Sequence, residues 1–404
     1  MIPFSPPRID DEIINEVVAA LKSGWITTGP RTKQFEKEVA AYCGVEKFLA
    51  VNSWTAGAEM LLHWFGVQAG DEVIVPAYTY CASANIVIHC GAKPILVDVN
   101  EDFTINIESV RNAITSKTKV ILPVDVGGLP VNYDALMSMV NEPAIQALFT
   151  ANTDRQKKLN RILVLNDAAH SFGAFYKGKR VGAACDFTVF SFHAVKNLTT
   201  AEGGGICINL PKPYDNTELY NELNTYSLHG QNKDALAKMQ KGAWEYDVID
   251  AGYKCNMTDI LASIGLIELK RYDSQTLKRR KEIFEAYTTA FSKYDWAITP
   301  HYKDAARETS YHLYLLRIKG FDVPKRNDMI QKIFDKDVSV NVHYKPLPLL
   351  TAYKIRGYVM EDYPVSKALW ENEISLPVFY AMTDDQIQTV IDAIVKSYTE
   401  TVSA

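Results

Sequence analysis

Residues 161–205 read RILVLNDAAHSFGAFYKGKRVGAACDFTVFSFHAVKNLTTAEGGG. Two runs in this stretch, RILVLN (161–166) and FTVFSF (187–192), are almost continuously apolar and end in polar residues. Strands buried on both faces of a sheet have this texture. A third run, GICINL (205–210), follows directly, and EVIVP (72–76), PILVDV (94–99) and KVILPV (119–124) precede them. Helix-like stretches at 80–90, 107–114 and 133–150 lie between several of these runs. Strands alternating with helices predict βαβ units, hence an α/β fold with a mostly parallel central sheet between helices.

Outward from this centre, Ile13, Ile14, Val17, Val18 and Leu21 recur at helical spacing, with Asp10 or Asp11 as the cap and Ser23-Gly24 as the stop. Further helices are expected over about 31–43 and from Thr55 through MLLHWF. The segment 211–250 is polar and irregular. A helix is expected at about 257–272, and the basic stretch LKRRKEIFEAYTTAF continues it, with Lys278, Arg279, Arg280 and Lys281 read as a solvated face. Beyond residue 300, YHLYLLRI and VSVNVHY look like strands, and 326–335 and 383–399 like helices. The expected division is an N-terminal segment and large domain over 1–274 and a small C-terminal α+β domain over 275–404.

Composition narrows the function. Apolar residues make up 47% of 404 and charged residues 23%, with 22 Tyr, 16 Phe and 6 Trp, which excludes a largely disordered chain. A net charge of −5 argues against a general nucleic-acid surface, which needs a basic field, but leaves room for a local basic pocket. The six cysteines, at 43, 81, 90, 185, 207 and 255, form no CxxC pair, so neither a zinc site nor a disulfide framework is expected. No metal is expected. The start of the chain has acids and no apolar core of a signal peptide, and no run reaches the length of a membrane span. A soluble, cytoplasmic protein is expected, which sparse unpaired cysteines also fit.

Ligands of open parallel sheets bind at the carboxyl ends of the strands. There the sequence places Asp167 and Lys196, the latter followed by Gly203-Gly204-Gly205. An acid at a strand end can simply cap the next helix, and lysines are common at surfaces. A lysine just beyond a buried strand, with glycines that admit close backbone approach, is a combination with more chemical meaning. A partly desolvated lysine has a lowered pKa and forms Schiff bases. With an aspartate to pair with a protonated pyridine nitrogen, it is what pyridoxal 5′-phosphate (PLP) requires. Asn52-Ser53-Trp54-Thr55-Ala56-Gly57, a strand end leading into a helix, offers the donors that a phosphate needs. It reads equally as an ordinary helix cap. Tyr80, after strand 72–76, is placed either on the ring face or in the core.

The sequence resembles the DegT/DnrJ/StrS family of PLP-dependent nucleotide-sugar aminotransferases, of the aspartate-aminotransferase fold (fold type I), over nearly the whole chain. The blocks that carry the resemblance are SGWITTGPRTKQFE (23–36), NSWTAGAEML, VIVPAYTYCASAN, NDAAHSFGA, SFHAVKNLTTAEGGG, AGYKCNMTDILASIGLIEL and ISLPVFYAMTDDQIQTVI. The resemblance implies Lys196 as the Schiff-base lysine and Asp167 as the partner of the pyridine nitrogen. It implies His170 near the phenolic oxygen, Ser191 with the Thr55 and Ala56 amides at the phosphate, and Tyr80 stacked on the ring. Two departures stand out: Trp54 is bulkier than the residue many members have, and Lys254-Cys255-Asn256 stands where many have Asn-Tyr-Arg. The first of those three reaches the neighbouring subunit's phosphate in the family, so Lys254 is expected to do so as a cation. An extra stretch around 140–160 is placed on the surface.

The implied reaction is transamination from an amino acid, glutamate, to a keto-sugar nucleotide, a UDP-linked 4-keto-6-deoxy hexose, in bacterial surface-polysaccharide synthesis. Some relatives with His at the lysine position dehydrate sugars instead, and a non-catalytic PLP-binding regulator is the other alternative. Trp25, Thr27, His343, Tyr344 and Lys345 are candidates for sugar or diphosphate contact, since aromatic rings stack on bases and sugars and lysine meets phosphate; each reads equally as core or surface. The resemblance also implies a homodimer with shared sites, which Arg31 and Lys33 would approach.

Overall fold

The computed structural model describes residues 1–232 and 245–403. Seven strands form the central sheet: β1 (Lys47–Val51), β2 (Glu72–Pro76), β3 (Lys93–Val97), β4 (Thr118–Ile121), β5 (Leu163–Asp167), β8 (Phe187–Ser191) and β9 (Gly204–Ile208), in the order β1-β9-β8-β5-β4-β2-β3. The run from β8 to β3 is parallel, and β9 is antiparallel to both β8 and β1. Alternate side chains of one strand enter separate cores: Val73 and Val75 pack on one face, Ile74 on the other, and all three are fully buried. This double burial removes the polar alternation and explains why the strands read as unbroken apolar runs.

Short strands complete the fold. Between the central strands lie β6 (Phe175–Tyr176) and β7 (Lys179–Arg180), and towards the C-terminus lie β10 (Ala297–Ile298), β11 (Arg307–Glu308), β12 (Tyr314–Ile318) and β13 (Glu373–Leu376). β10, β12 and β13 form a second sheet, while β11 pairs with β6. Ile2 bridges Val338, so the N-terminus joins the C-terminal part of the chain. The helices Asp11–Lys22, Pro30–Cys43 and Trp54–Phe65 start at Asp10, Gly29 and Ser53, of which Asp10 and Ser53 cap with their side chains.

Four expectations are corrected. The stretch 133–150 is two helices, Tyr133–Val140 and Pro143–Gln146, because Pro143 fits the first turn of a helix but not its interior. The irregular segment contains a helix, Asn216–Tyr226, capped by Asp215; the rest of that reading falls partly outside the described residues. VSVNVHY is no strand, making only isolated bridges through Val338 and Asn341. The basic run is not a free solvated face: Arg280 is buried and donates to the carbonyls of Tyr311 and His312, at 3.1 and 3.2 Å, while Arg279 reaches Met382 O and Asp384. A run of four cations conceals one that serves as an internal clamp.

The remaining expectations on the periphery fall as follows. Residues 140–160 lie largely at the surface, anchored by Gln156 on Phe65 O and Arg155 on Trp64 O. All six cysteines are free, five buried and Cys81 partly exposed. Among the described residues no helix is long and apolar enough to cross a membrane.

Candidate active site

The strand ends open on a cavity of about 390 Å³. Its walls come from Ser53-Trp54-Thr55 after β1, Thr79 and Tyr80 after β2, Asp167 at the end of β5 and His170 beyond it, Ser191 at the end of β8 and Lys196 beyond it, and His312, His343 and Tyr344 from the C-terminal part. A second cavity of about 420 Å³ lies beside it, but its arginines are already committed, Arg307 to Asp102 and Asp304 and Arg317 to Glu101. The first cavity gathers the chemistry.

Asp167 is the last residue of β5 and is buried. Its carboxylate accepts from Ser83 Oγ at 2.8 Å and from the Ala169 amide at 3.1 Å. Burial pushes its pKa up to about 7, against the pull of those donors and of nearby Lys196. Lys196 lies in a turn after β8, its amide bonded to His193 O. Burial lowers its pKa to about 8, and Asp167 partly offsets the drop. The neutral amine is therefore accessible near neutral pH, as a lysine nucleophile requires.

Of the three glycines, Gly204 has a defined task at the site. A Cβ on Gly204 would lie 2.5 Å from Trp54 N and 2.6 Å from Ser53 C. The missing side chain lets β9 press against the start of the helix Trp54–Phe65, which brings that helix terminus to the cavity. Ser53 Oγ takes the Ala56 amide at 3.1 Å, while Ser53, Thr55 and Ser191 line the cavity. This is a cradle of helix N-terminus and hydroxyls suited to a phosphate. Tyr80 is 58% exposed, its ring centroid 5.7 Å from that of Tyr344.

His170 is buried; its Nδ1 accepts from the Gly127 amide at 3.2 Å and its Nε2 meets Tyr344 Oη at 2.9 Å. Burial, then Lys196, holds it well below the ordinary histidine range. His343 is held by Glu373, which accepts from its amide at 3.0 Å, and by Ser375 at 2.9 Å, and its ring stacks on Phe4. Burial lowers its pKa to about 4.

The other expected residues do not line this cavity. Trp25 donates to Thr28 O at 3.0 Å and packs on Gly29; Thr27 is exposed, its carbonyl accepting from the Asp259 amide. Lys345 is exposed, and Lys254 is exposed and donates to Asn256. Arg31 is paired with Glu16, and Lys33 with Glu36 and Tyr220. The 23–36 block is instead nailed down by buried Asp259, which accepts from the amides of Gly29, Arg31 and Thr32 and from the Thr32 hydroxyl.

Four participants escaped the sequence reading: Ser83, Asn197, His312 and Phe4. His312 is buried, bonded through Nδ1 to Asn197 Oδ1 at 2.8 Å, and Asn197 donates in turn to Ser310 O at 2.7 Å. Asn197 adjoins Lys196, and that adjacency is the one signal the sequence held.

Taken together, these residues fit PLP. A buried carboxylate stands ready for the ring nitrogen, a depressed lysine for the aldehyde and a helix terminus with hydroxyls for the phosphate. The DegT/DnrJ/EryC1/StrS aminotransferase family matches residues 7–395. The spore coat polysaccharide biosynthesis protein SpsC of Bacillus subtilis is 37% identical over 400 residues, 97% of this chain and 96% of that protein. Spr1654 of Streptococcus pneumoniae, assigned as a sugar aminotransferase, is 46% identical in its PMP form, covering 99% of this chain and 100% of that one with a TM-score of 0.95. Its PLP form gives 44% and 0.94, with 99% of each chain covered.

Proposed function

The chain belongs to the DegT/DnrJ/EryC1/StrS aminotransferase family, and from that premise we propose that it moves the amino group of glutamate to a UDP-linked 4-keto-6-deoxy hexose in bacterial surface-polysaccharide synthesis. It is a PLP-dependent sugar aminotransferase. The observation that carries the reading is the convergence of Lys196 and Asp167 on one cavity at the carboxyl ends of β8 and β5. The polysaccharide assignment is supported by the likeness to SpsC.

Bound PLP supplies an aldehyde for the amino group and an electron sink for the bond that breaks. The protein's own residues do the rest. Lys196 would hold the cofactor through Nζ, and the same Nζ, when neutral, would carry the proton taken from the donor's α-carbon. Asp167, whose ionised form Ser83 and Ala169 favour against the effect of burial, would pair with the ring nitrogen. Thr55, the Ala56 amide and Ser191 hold the phosphate, Tyr80 covers the ring, and His170 stands on the phenolic side. Lys196, rather than histidine, at this position favours amino transfer over dehydration.

Substrate contact is assigned to His343 and Tyr344 within the cavity. Lys254 is assigned to the partner subunit's phosphate across a dimer interface, and Trp25, Thr27 and Lys345 are the further candidates for sugar or diphosphate contact. Ile14 and Leu21, 48% and 51% exposed on the first helix, support such an interface by leaving apolar surface uncovered. The large cofactor-binding domain is assigned to 1–274 and the small domain to 275–404, with the boundary in the π-helical turn Tyr272–Leu277. A sugar-nucleotide substrate suits the cytoplasm.

The test is incubation of the protein, PLP and glutamate with a panel of keto-sugar nucleotides, with products assigned by NMR. An amino sugar from the UDP-linked 4-keto-6-deoxy hexose supports the reading. Turnover of only 3-keto or dTDP-linked sugars overturns the substrate assignment. A dehydrated product, or binding of PLP with no turnover of any sugar, overturns the aminotransferase assignment.

A further inference from the structure

A separate cavity of about 20 Å³ lies where distant parts of the chain meet. Arg8 enters it from the N-terminal segment, Glu268 from the helix Asp259–Arg271 and Thr276 from the π-helical turn Tyr272–Leu277. Arg280 enters it from the helix Lys278–Phe291, and Tyr380 from the stretch after β13. Lys196 lines both this cavity and the larger one. The volume admits one particle of about the size of a water molecule.

Two polar atoms of these walls are left over. Arg280 and Thr276 are 3% and 4% exposed, and among the described residues Arg280 Nε and Thr276 Oγ1 have no hydrogen-bond partner. Arg280 Nη1 is spent on two neutral acceptors, the carbonyls of Tyr311 and His312. Glu268 acts on Arg280 through space, without a hydrogen bond. Its Oε1 is taken by Arg271, through Nη2 at 2.7 Å and Nε at 3.3 Å. Burial lowers the Arg280 pKa to about 10, so the guanidinium still carries its charge at neutral pH. A buried charge is ordinarily paired, because leaving water without a counter-charge is costly.

The ionisable groups facing the cavity are Arg8, Lys196, Glu268, Arg280 and Tyr380. Arg8 has Asp10 at 2.9 Å, Glu268 has Arg271, and Lys196 has Asp167 nearby. Arg280 is the cation among them that lacks a counter-charge of its own. A water molecule fits the space but brings no charge. We propose that this cavity binds a small monovalent anion of chloride size, held by Arg280 Nε and the Thr276 hydroxyl. The bound anion staples the N-terminal segment, the π-helical turn and the C-terminal part of the chain together. Larger anions such as phosphate are excluded by the volume. The site stands apart from the amino-transfer chemistry and does not rest on it.

Chloride itself is the probe. Crystals of the protein grown in chloride and measured at long X-ray wavelength should show an anomalous peak touching Arg280 Nε and Thr276 Oγ1, in a cavity whose walls carry no sulfur. In solution, chloride replaces gluconate at fixed ionic strength, which holds screening constant. The melting temperature should rise by several degrees and then saturate, as binding to the folded chain requires. Thr276→Val keeps the side-chain shape and loses the hydroxyl, so it should need roughly tenfold more chloride for half the rise. Arg280→Met should lose the rise altogether, and Thr276→Val decides the matter if that variant does not fold. Absence of the anomalous peak, a melting temperature indifferent to chloride, or a Thr276→Val response equal to wild type each overturns the proposal. None of these outcomes touches the cofactor assignment.

Discussion

Ser83 Oγ donates to Asp167 Oδ2 at 2.8 Å, joining the helix after β2 to the end of β5. Ser83 is fully buried and also meets Thr79 Oγ1 at 3.0 Å, so its hydroxyl is held in place. The bond favours the ionised carboxylate that a ring nitrogen needs. Hydrogen bonds to charged groups contribute about 1.5–3 kcal/mol. Ser83→Ala should therefore weaken PLP binding near neutral pH by roughly tenfold or more, measured by equilibrium dialysis, with a smaller loss at higher pH where Asp167 ionises regardless.

The raised pKa of Asp167, about 7 against an ordinary 3.8, has a stability consequence in the absence of cofactor. Between those values the folded chain keeps a proton that the unfolded chain has released. Stability thus falls as pH rises through that window and stays reduced above it. Asp167→Asn removes the buried charge without changing side-chain shape. Cofactor-free, the variant should melt a few degrees above wild type near pH 8, with the difference vanishing toward pH 4, by calorimetry across pH. It should also bind PLP more weakly, a gain in stability at the expense of function.

Much of this architecture is legible in the sequence, and what escaped has physical reasons. Buried strands announce themselves because both faces are apolar, and Asp167 and Lys196 because they interrupt the apolar texture at strand ends. Ser83 and His312 do not: one is a small hydroxyl in a helix, the other a histidine at the start of YHLYLLRI, and each gains meaning only from a partner over 80 residues away. Arg280 is misread for a related reason, since composition cannot tell which of four adjacent cations turns inward. Trp25, Thr27 and Lys254 sit in stretches that resemble family blocks and Lys345 lies outside them; none of the four lines the cavity of its own chain, and one chain's sequence carries no record of what a second copy would cover.

Lys196 gives a third prediction. Its folded pKa is lowered from 10.5 to about 8 by burial, so the nucleophilic neutral amine grows in over a range below that of an exposed lysine. The rate at which cofactor-free protein takes up PLP should rise with pH to a midpoint near 8, followed by stopped-flow absorbance. Asp167→Asn, which removes the neighbouring charge that raises the value, should move that midpoint lower.

Asp259 gives a fourth. Its carboxylate serves four donors from the 29–32 turn and sits at the start of the helix Asp259–Arg271, inside the core. Asp259→Ala strands those donors, at a cost of several kcal/mol. The expected result is a clearly lower melting temperature, with proteolysis appearing in the 23–36 block before global unfolding. Unchanged melting would show that the turn is held by other contacts.

The central claim is that Lys196 carries the cofactor, and borohydride reduction tests it most directly, because it locks PLP onto whichever lysine holds it. Peptide mapping by mass spectrometry after reduction of PLP-loaded protein should find the label on Lys196, and Lys196→Ala should fold normally and carry none. A label on Lys254, Lys345 or another lysine, or an undiminished label in Lys196→Ala, would contradict the account.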